Sequence, residues 1–140
     1  MASSYPFEPS SEPSVDLNSQ ESRIKIAKMV LKLFNHWQLS QADQLNLLGM
    51  SEQSRSSLDK YRKGEKPFPK NRDLFDRVGY LLSIHKALRL LYPQNSDIRY
   101  SWVNRRNKAF DNYSPMEIIR HQGILGYARV ARYLDFIRGH

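Results

Sequence analysis

Residues 39–69 read LSQADQLNLLGMSEQSRSSLDKYRKGEKPFP, and their punctuation decides the architecture. Ser40 is placed to cap a short helix with Ala42, Leu45 and Leu48 on its inner side. Gly49 ends that helix, because the left-handed position after a helix favours glycine. Ser51 is placed to cap a second helix over about 52–63, with Ser54, Leu58 and Tyr61 inward, and Gly64, Pro67 and Pro69 close it. Two short helices joined by a glycine-containing turn of about three residues make a helix-turn-helix arrangement. The same pattern also serves as a plain helical hairpin of a core. Three features point to DNA: the small inner side of the second helix, its polar outer side, and seven basic against three acidic residues over 51–72.

If the motif reads DNA, its contacts follow from helix geometry, since base edges are reached from the outward side of the first turns of the second helix. Gln53, Ser56 and Lys60 are the candidates there. Gln pairs with adenine and Lys with the guanine edge, while Ser is permissive. Arg55, Arg62, Lys63 and Lys66 are better placed for phosphates, which position a protein without specifying sequence. Gln41, at the start of the first helix, is a further phosphate candidate; a solvated first-turn residue is its alternative.

Charge agrees with that direction. Residues 1–21 contain Glu8, Glu12, Asp16 and Glu21 and no Lys or Arg, which leaves 22 basic and 10 acidic residues, a net +12, on residues 22–140. A body so basic attracts polyanions. The first 22 residues, rich in Ser, Pro and acid, cannot bury enough to order themselves and read as a disordered tail, dispensable for binding by the rest. Cysteine is absent, which excludes disulfides, thiolate metal sites and a cysteine nucleophile. His36, His85, His121 and His140 make no ligand spacing, so no metal or other cofactor is expected. Without a glycine-rich phosphate loop or paired acids, an enzyme has little to stand on. No apolar run suggests a signal peptide or a membrane span, and no helix carries the one-sided face of an interfacial anchor; a cytoplasmic protein is the expectation.

The rest reads as helix throughout. From Arg23 to Trp37, Ala27, Val30, Leu31, Phe34 and Trp37 make one apolar face. Residues 71–92 align Leu74, Val78, Leu81, His85, Leu88 and Tyr92, flanked by Phe75, Leu82 and Leu91, and His85 reads as a hydrogen-bonded core histidine. SDIRYSWVNRRNKAF starts at a Ser96 cap and buries Ile98 and Trp102; SPMEII sets Ser114 as cap, Pro115 first and Glu117 third. Gly123 and Gly126 break the chain before a final helix with Val130, Leu134 and Ile137 inward. No alternating run marks a strand, so the fold class is all-α.

The segments RVGYLLSIHKALRLLYP, WVNRRNKAFDNYSPMEII and GYARVARYLDFIRG resemble, in order and spacing, the toxin-binding domain of the Xre, MbcA and ParS antitoxins. With the preceding helix-turn-helix the resemblance covers about 39–139. That family usually has a glycine pair where this chain has Asp111 and Asn112, residues that tolerate turn geometries better than most. The resemblance implies a tail over 1–22, a helix-turn-helix DNA-binding domain over 23–70 that represses its own operon, and a helical domain over 71–140 that binds a cognate toxin and dimerises. The toxin in this family is often a RES-domain protein that degrades NAD, an activity of the partner. It also implies a homodimer on double-stranded operator DNA. From the residues alone, a regulator whose C-terminal half only dimerises stays open.

On the last helix, Arg129, Arg132 and Arg138 remain outside the core line with Tyr133 and Phe136 beside them. Spacing alone allows a solvated basic face with a frayed end. Arginine with exposed aromatics is also the composition of interface hot spots. The resemblance implies that Arg138, Gly139 and His140, with the terminal carboxylate, plug the toxin's active site, and that Arg129, Arg132, Tyr133 and Phe136 form the adjoining contact.

Overall fold

The computed structural model describes residues 17–139, so residues 1–16 of the tail expected over 1–22, and the site residue His140, lie outside it, while residues 17–22 are ordered at the start of the first helix. Among the described residues there are seven α-helices and no strand; an isolated bridge joins Asn107 and Tyr113. The first helix, α1 (Gln20–His36), starts three residues before the expected boundary because Ser19 caps it, accepting from the Ser22 amide at 3.0 Å. Arg23 fixes this start: its guanidinium donates to the carbonyls of Leu17, Asn18 and Phe68. The expected apolar face is buried, and Trp37 lies fully inside. Gln38, left-handed at φ 57°, turns the chain out of α1.

Ser40 caps α2 (Gln41–Leu48) through the Asp43 amide, and left-handed Gly49 ends it at φ 69°. Ala42, expected inside, is exposed, whereas Leu47 is fully buried, because α2 packs against α4 (Arg72–Leu91) and α6 (Pro115–Gln122) as well as against α3 (Arg55–Lys63). Asn71 caps α4, whose Leu74, Val78, Leu81 and Leu88 are buried as their spacing requires, joined by Ile84 and Ala87. This long helix is shared: it touches α1 and α2 on one side, α5 (Ser96–Ser101) and α7 (Ile124–Ile137) on the other.

Three local expectations change. Asn95, not Ser96, caps α5, and Ile98 is only half-buried while Val103 joins Trp102 inside. Gly123 breaks the chain, but Gly126 lies within α7, where α6 passes so close that a Cβ would sit 2.5 Å from the Ile118 carbonyl oxygen. His85 is half-buried and finds no hydrogen-bond partner for Nδ1 among the described residues. It stacks instead with Tyr100, which stacks in turn on His36 at 4.2 Å. The SPMEII segment forms the expected capping box, Ser114 and Glu117 bonding reciprocally. Asp111 and Asn112 both adopt left-handed backbone, at φ 56° and 69°, where the glycine pair of the resemblance would stand.

Polar ties cross between the chain's halves. Tyr127, fully buried, donates its hydroxyl to the Leu47 carbonyl at 2.8 Å, and burial pushes its ionisation far above the usual phenol range. Asn104 donates to the Trp37 carbonyl at 2.8 Å, and Arg120 clasps Asp43 through two bonds of 2.9 Å.

Candidate nucleic-acid interface and partner-binding face

The second helix of the motif forms in two steps. Ser51 makes no side-chain cap, and a single tight turn over Glu52–Ser54 leads into α3, so the helix proper begins at Arg55. Gln53 therefore sits in the turn ahead of α3 and not in its first helical turn. Ser57, Leu58 and Tyr61 face inward, and left-handed Gly64 at φ 76° closes the helix. Phe68, in the proline segment, packs edge-on against Tyr61 at 4.9 Å and anchors the exit. The outer side carries Ser56, Lys60 and Lys63 at four- and three-residue steps, all exposed, as is Gln53.

The other expected phosphate contacts are engaged within the chain. Arg55 bonds Glu52 and donates to Gln41 Oε1 at 2.6 Å, which brings together two candidates fourteen residues apart. That bond to Arg55 lowers the Glu52 carboxyl below its usual range. Asp59 holds both Arg62 and Lys63, the latter at 2.9 Å. Lys66 donates to Ser57 Oγ at 2.7 Å and lies over the Tyr61 ring. The Glu52 and Asp59 pairs are solvent-exposed, so water and salt screen them and neither holds its basic partner tightly.

The second surface is built on α7. Its inner side, Tyr127, Val130 and Leu134, is fully buried, and Ile137 is half-buried at its end. Tyr133 lies parallel to Trp102 at 6.3 Å and edge-on to Phe110 at 5.2 Å, while the Arg129 guanidinium covers the Phe110 ring at 5.3 Å. Arg132 and Phe136 point outward. Leu125, which the sequence reading missed, joins them: positions 125, 132 and 136 fall on one line of a helix. Arg138 pairs with Asp135 at 3.4 Å, and Gly139 is exposed at φ 89°.

Among the described residues no group of three or more His, Asp or Glu could hold a metal, and no helix is long and apolar enough to cross a membrane.

Comparison with known proteins follows the same division. An antitoxin Xre-like helix-turn-helix domain matches residues 27–83, and an antitoxin Xre/MbcA/ParS C-terminal toxin-binding domain matches residues 87–139. A curated relative, the uncharacterized protein y4oB of Sinorhizobium fredii (strain NBRC 101917 / NGR234), is 34% identical over 110 residues, covering 77% of this chain and 80% of that protein. A helix-turn-helix for DNA followed by a domain for a toxin, in one all-α chain, is the make-up of an antitoxin, and the chain belongs to the Xre/MbcA/ParS antitoxin family.

Proposed function

We propose that the chain neutralises its cognate toxin by direct binding through the outer side and far end of α7, and represses its own operon by setting α3 against operator DNA. The observation that carries the first part is the outer line of α7, where Leu125 is 76% and Phe136 75% exposed on a helix whose opposite side is fully buried. Large apolar side chains flanking an arginine are what a partner surface needs. Arg129 and Tyr133, fixed by Phe110 and Trp102, hold the base of this contact firm. Arg138, Gly139 and His140 follow and enter the toxin's active site. The toxin we envisage is a RES-domain protein that degrades NAD, so the chemistry is the partner's and this chain needs no cofactor.

For DNA, Gln53, Ser56 and Lys60 are exposed and supply base contacts, while Gln41, Arg55, Arg62, Lys63 and Lys66 supply the backbone contacts. A cytoplasmic homodimer would read two half-sites about one helical turn, ~34–36 Å, apart. Residues 23–70 serve DNA and 71–140 the toxin and the dimer, with α4 packed against both.

The test is co-expression with the neighbouring open reading frame. Growth arrest by that frame alone, rescue by the full chain, and loss of rescue when residues 138–140 are removed are expected. Full rescue and undiminished toxin affinity after the truncation would refute the active-site role. Replacing Gln53 and Lys60 by Ala should cost about 1–3 kcal/mol of operator binding per lost base contact. Unchanged operator affinity in the folded double variant would refute the assignment of α3.

A further inference from the structure

Beside α3 lies a groove of about 510 Å³, across which Lys28, Met29, Lys32 and Asn35 of α1 face Arg62, the one residue of it already assigned a phosphate. A smaller groove shares Leu31, Asn35 and Arg62 with it and runs on to Gln41 and Gln44 at the start of α2. Together they form one trough that follows the flank of α3 from the middle of α1 to the beginning of α2.

The trough is cationic by construction. Lys28 and Lys32 stand four residues apart on α1, a spacing at which like charges destabilise a helix. Neither has an acidic partner among the described residues, whereas Lys25 has Glu21, and Arg62 and Lys63 have Asp59. The Lys28 stem lies against Gly64, so close that a Cβ there would come 2.7 Å from Lys28 Cδ, which brings the side chain to the C-terminal end of α3. Met29, half exposed, gives the same groove an apolar patch. Two exposed lysines side by side on one groove, without an acidic partner among the described residues, make that groove attractive to an anion.

We propose that this trough receives the sugar–phosphate backbone of the DNA duplex, with Lys28 and Lys32 each neutralising a phosphate and Arg62 exchanging Asp59 for a third. The proposal rests on the reading of α3 as the DNA-facing helix. A backbone strand lying along the flank of α3 passes Lys28, Lys32 and Arg62 and ends near Gln41, already named as a phosphate contact. An acidic peptide would need to match only one end of it.

The test is the double variant Lys28→Gln, Lys32→Gln in the full chain. Binding is titrated by fluorescence anisotropy between 50 and 200 mM salt, on a duplex from the region upstream of its own reading frame and on an unrelated duplex of equal length. Each phosphate neutralised contributes about 0.9 to the slope of log K against log salt, so the slope should flatten by about 1.8 on both duplexes while the preference between them stays. Thermal unfolding of the variant should not fall, since a repulsion is removed. An unchanged slope in a variant that still prefers its own duplex overturns the trough and leaves α3 standing. A wild-type chain that binds both duplexes without preference overturns the base contacts assigned to α3, while a slope flattened on both still supports the trough beside it. Tighter binding by the variant would mean that the trough serves a competitor of DNA, the acidic residues 1–16 for example, and overturns the proposal. Absence of binding to either duplex overturns both.

Discussion

Two glycines inside helices should respond to alanine with opposite signs. At Gly126, in α7, a Cβ would meet only backbone of α6: the Ile118 oxygen at 2.5 Å, the Ile119 Cα at 2.8 Å and the Ile118 carbonyl carbon at 3.0 Å. None of these is the end of a flexible side chain, so the two helices must separate. The strip that opens includes Met116, Ile119, Tyr127 and Val130, all buried. Overpacking costs about 1–3 kcal/mol, occasionally more, and contacts with rigid backbone put this site at the upper end. Alanine recovers up to ~1 kcal/mol of helix propensity, so Gly126→Ala should lose about 2 kcal/mol net. At Gly79, in the interior of α4, a Cβ meets nothing within 4 Å, and only the propensity gain remains. Gly79→Ala should therefore stabilise by about 0.5–1 kcal/mol. Urea unfolding of the two variants beside the wild type reads both effects, and toxin affinity of Gly126→Ala should fall with the displacement of α7. If Gly126→Ala is as stable as the wild type, the close approach of α6 and α7 is wrong.

Further outcomes follow from the polar groups. Burial, then Arg89, Arg99 and His36, hold His85 below its ordinary value of 6.5, so the unfolded chain takes up a proton that the folded chain refuses. Stability should be complete above about 6.5 and decline as pH falls toward the lowered folded value; His85→Phe, which keeps the ring stack, should lessen that decline in denaturation midpoints taken at pH 7.5 and 5.5. An equal decline in both proteins would clear His85 of the effect. Ser114→Ala should cost about 1 kcal/mol by removing a buried cap, measured by thermal unfolding. The Glu117 carboxyl, kept below its usual range chiefly by its bond from the Ser114 amide, should keep most of its depression in that variant, as an NMR titration would show.

How much of this was legible depended on whether a signal was local. Gly49, Gly64, Ser40 and Ser114 announce helix ends through their own chemistry and the structure uses each as its type suggests, whereas Ser51 makes no cap and Asn95 takes the place expected of Ser96. Apolar spacing located α1, which has one dominant inner line, and α4, which is long enough to show its period although four helices cover it. Where a short element is covered from several sides, spacing assigns the wrong residues to the core. Leu47 was not expected inside because α2 is enclosed from several directions, and Ala42 was placed there by a period that assumed one. Gly126 looked like a breaker because sequence records a missing side chain without recording whether the vacancy serves a turn or a crossing helix. The same limit explains the functional surfaces. Exposed polar residues of α3 follow from helix geometry alone, but that Lys28 of α1 lies against the end of α3, or that Leu125 falls outside α7 with Phe136, depends on packing between elements. The contacts that join the two halves were the least visible. Asp43 meets Arg120, Leu47 meets Tyr127 and Trp37 meets Asn104 across 67 to 80 residues of chain, and in each Leu or Trp case the acceptor is a backbone carbonyl that any residue could supply. Sequence could therefore suggest two functional halves. Only the folded chain shows that α2, which begins the helix-turn-helix, is also bonded to Arg120 and Tyr127 of the toxin-binding domain, through Asp43 and the Leu47 carbonyl.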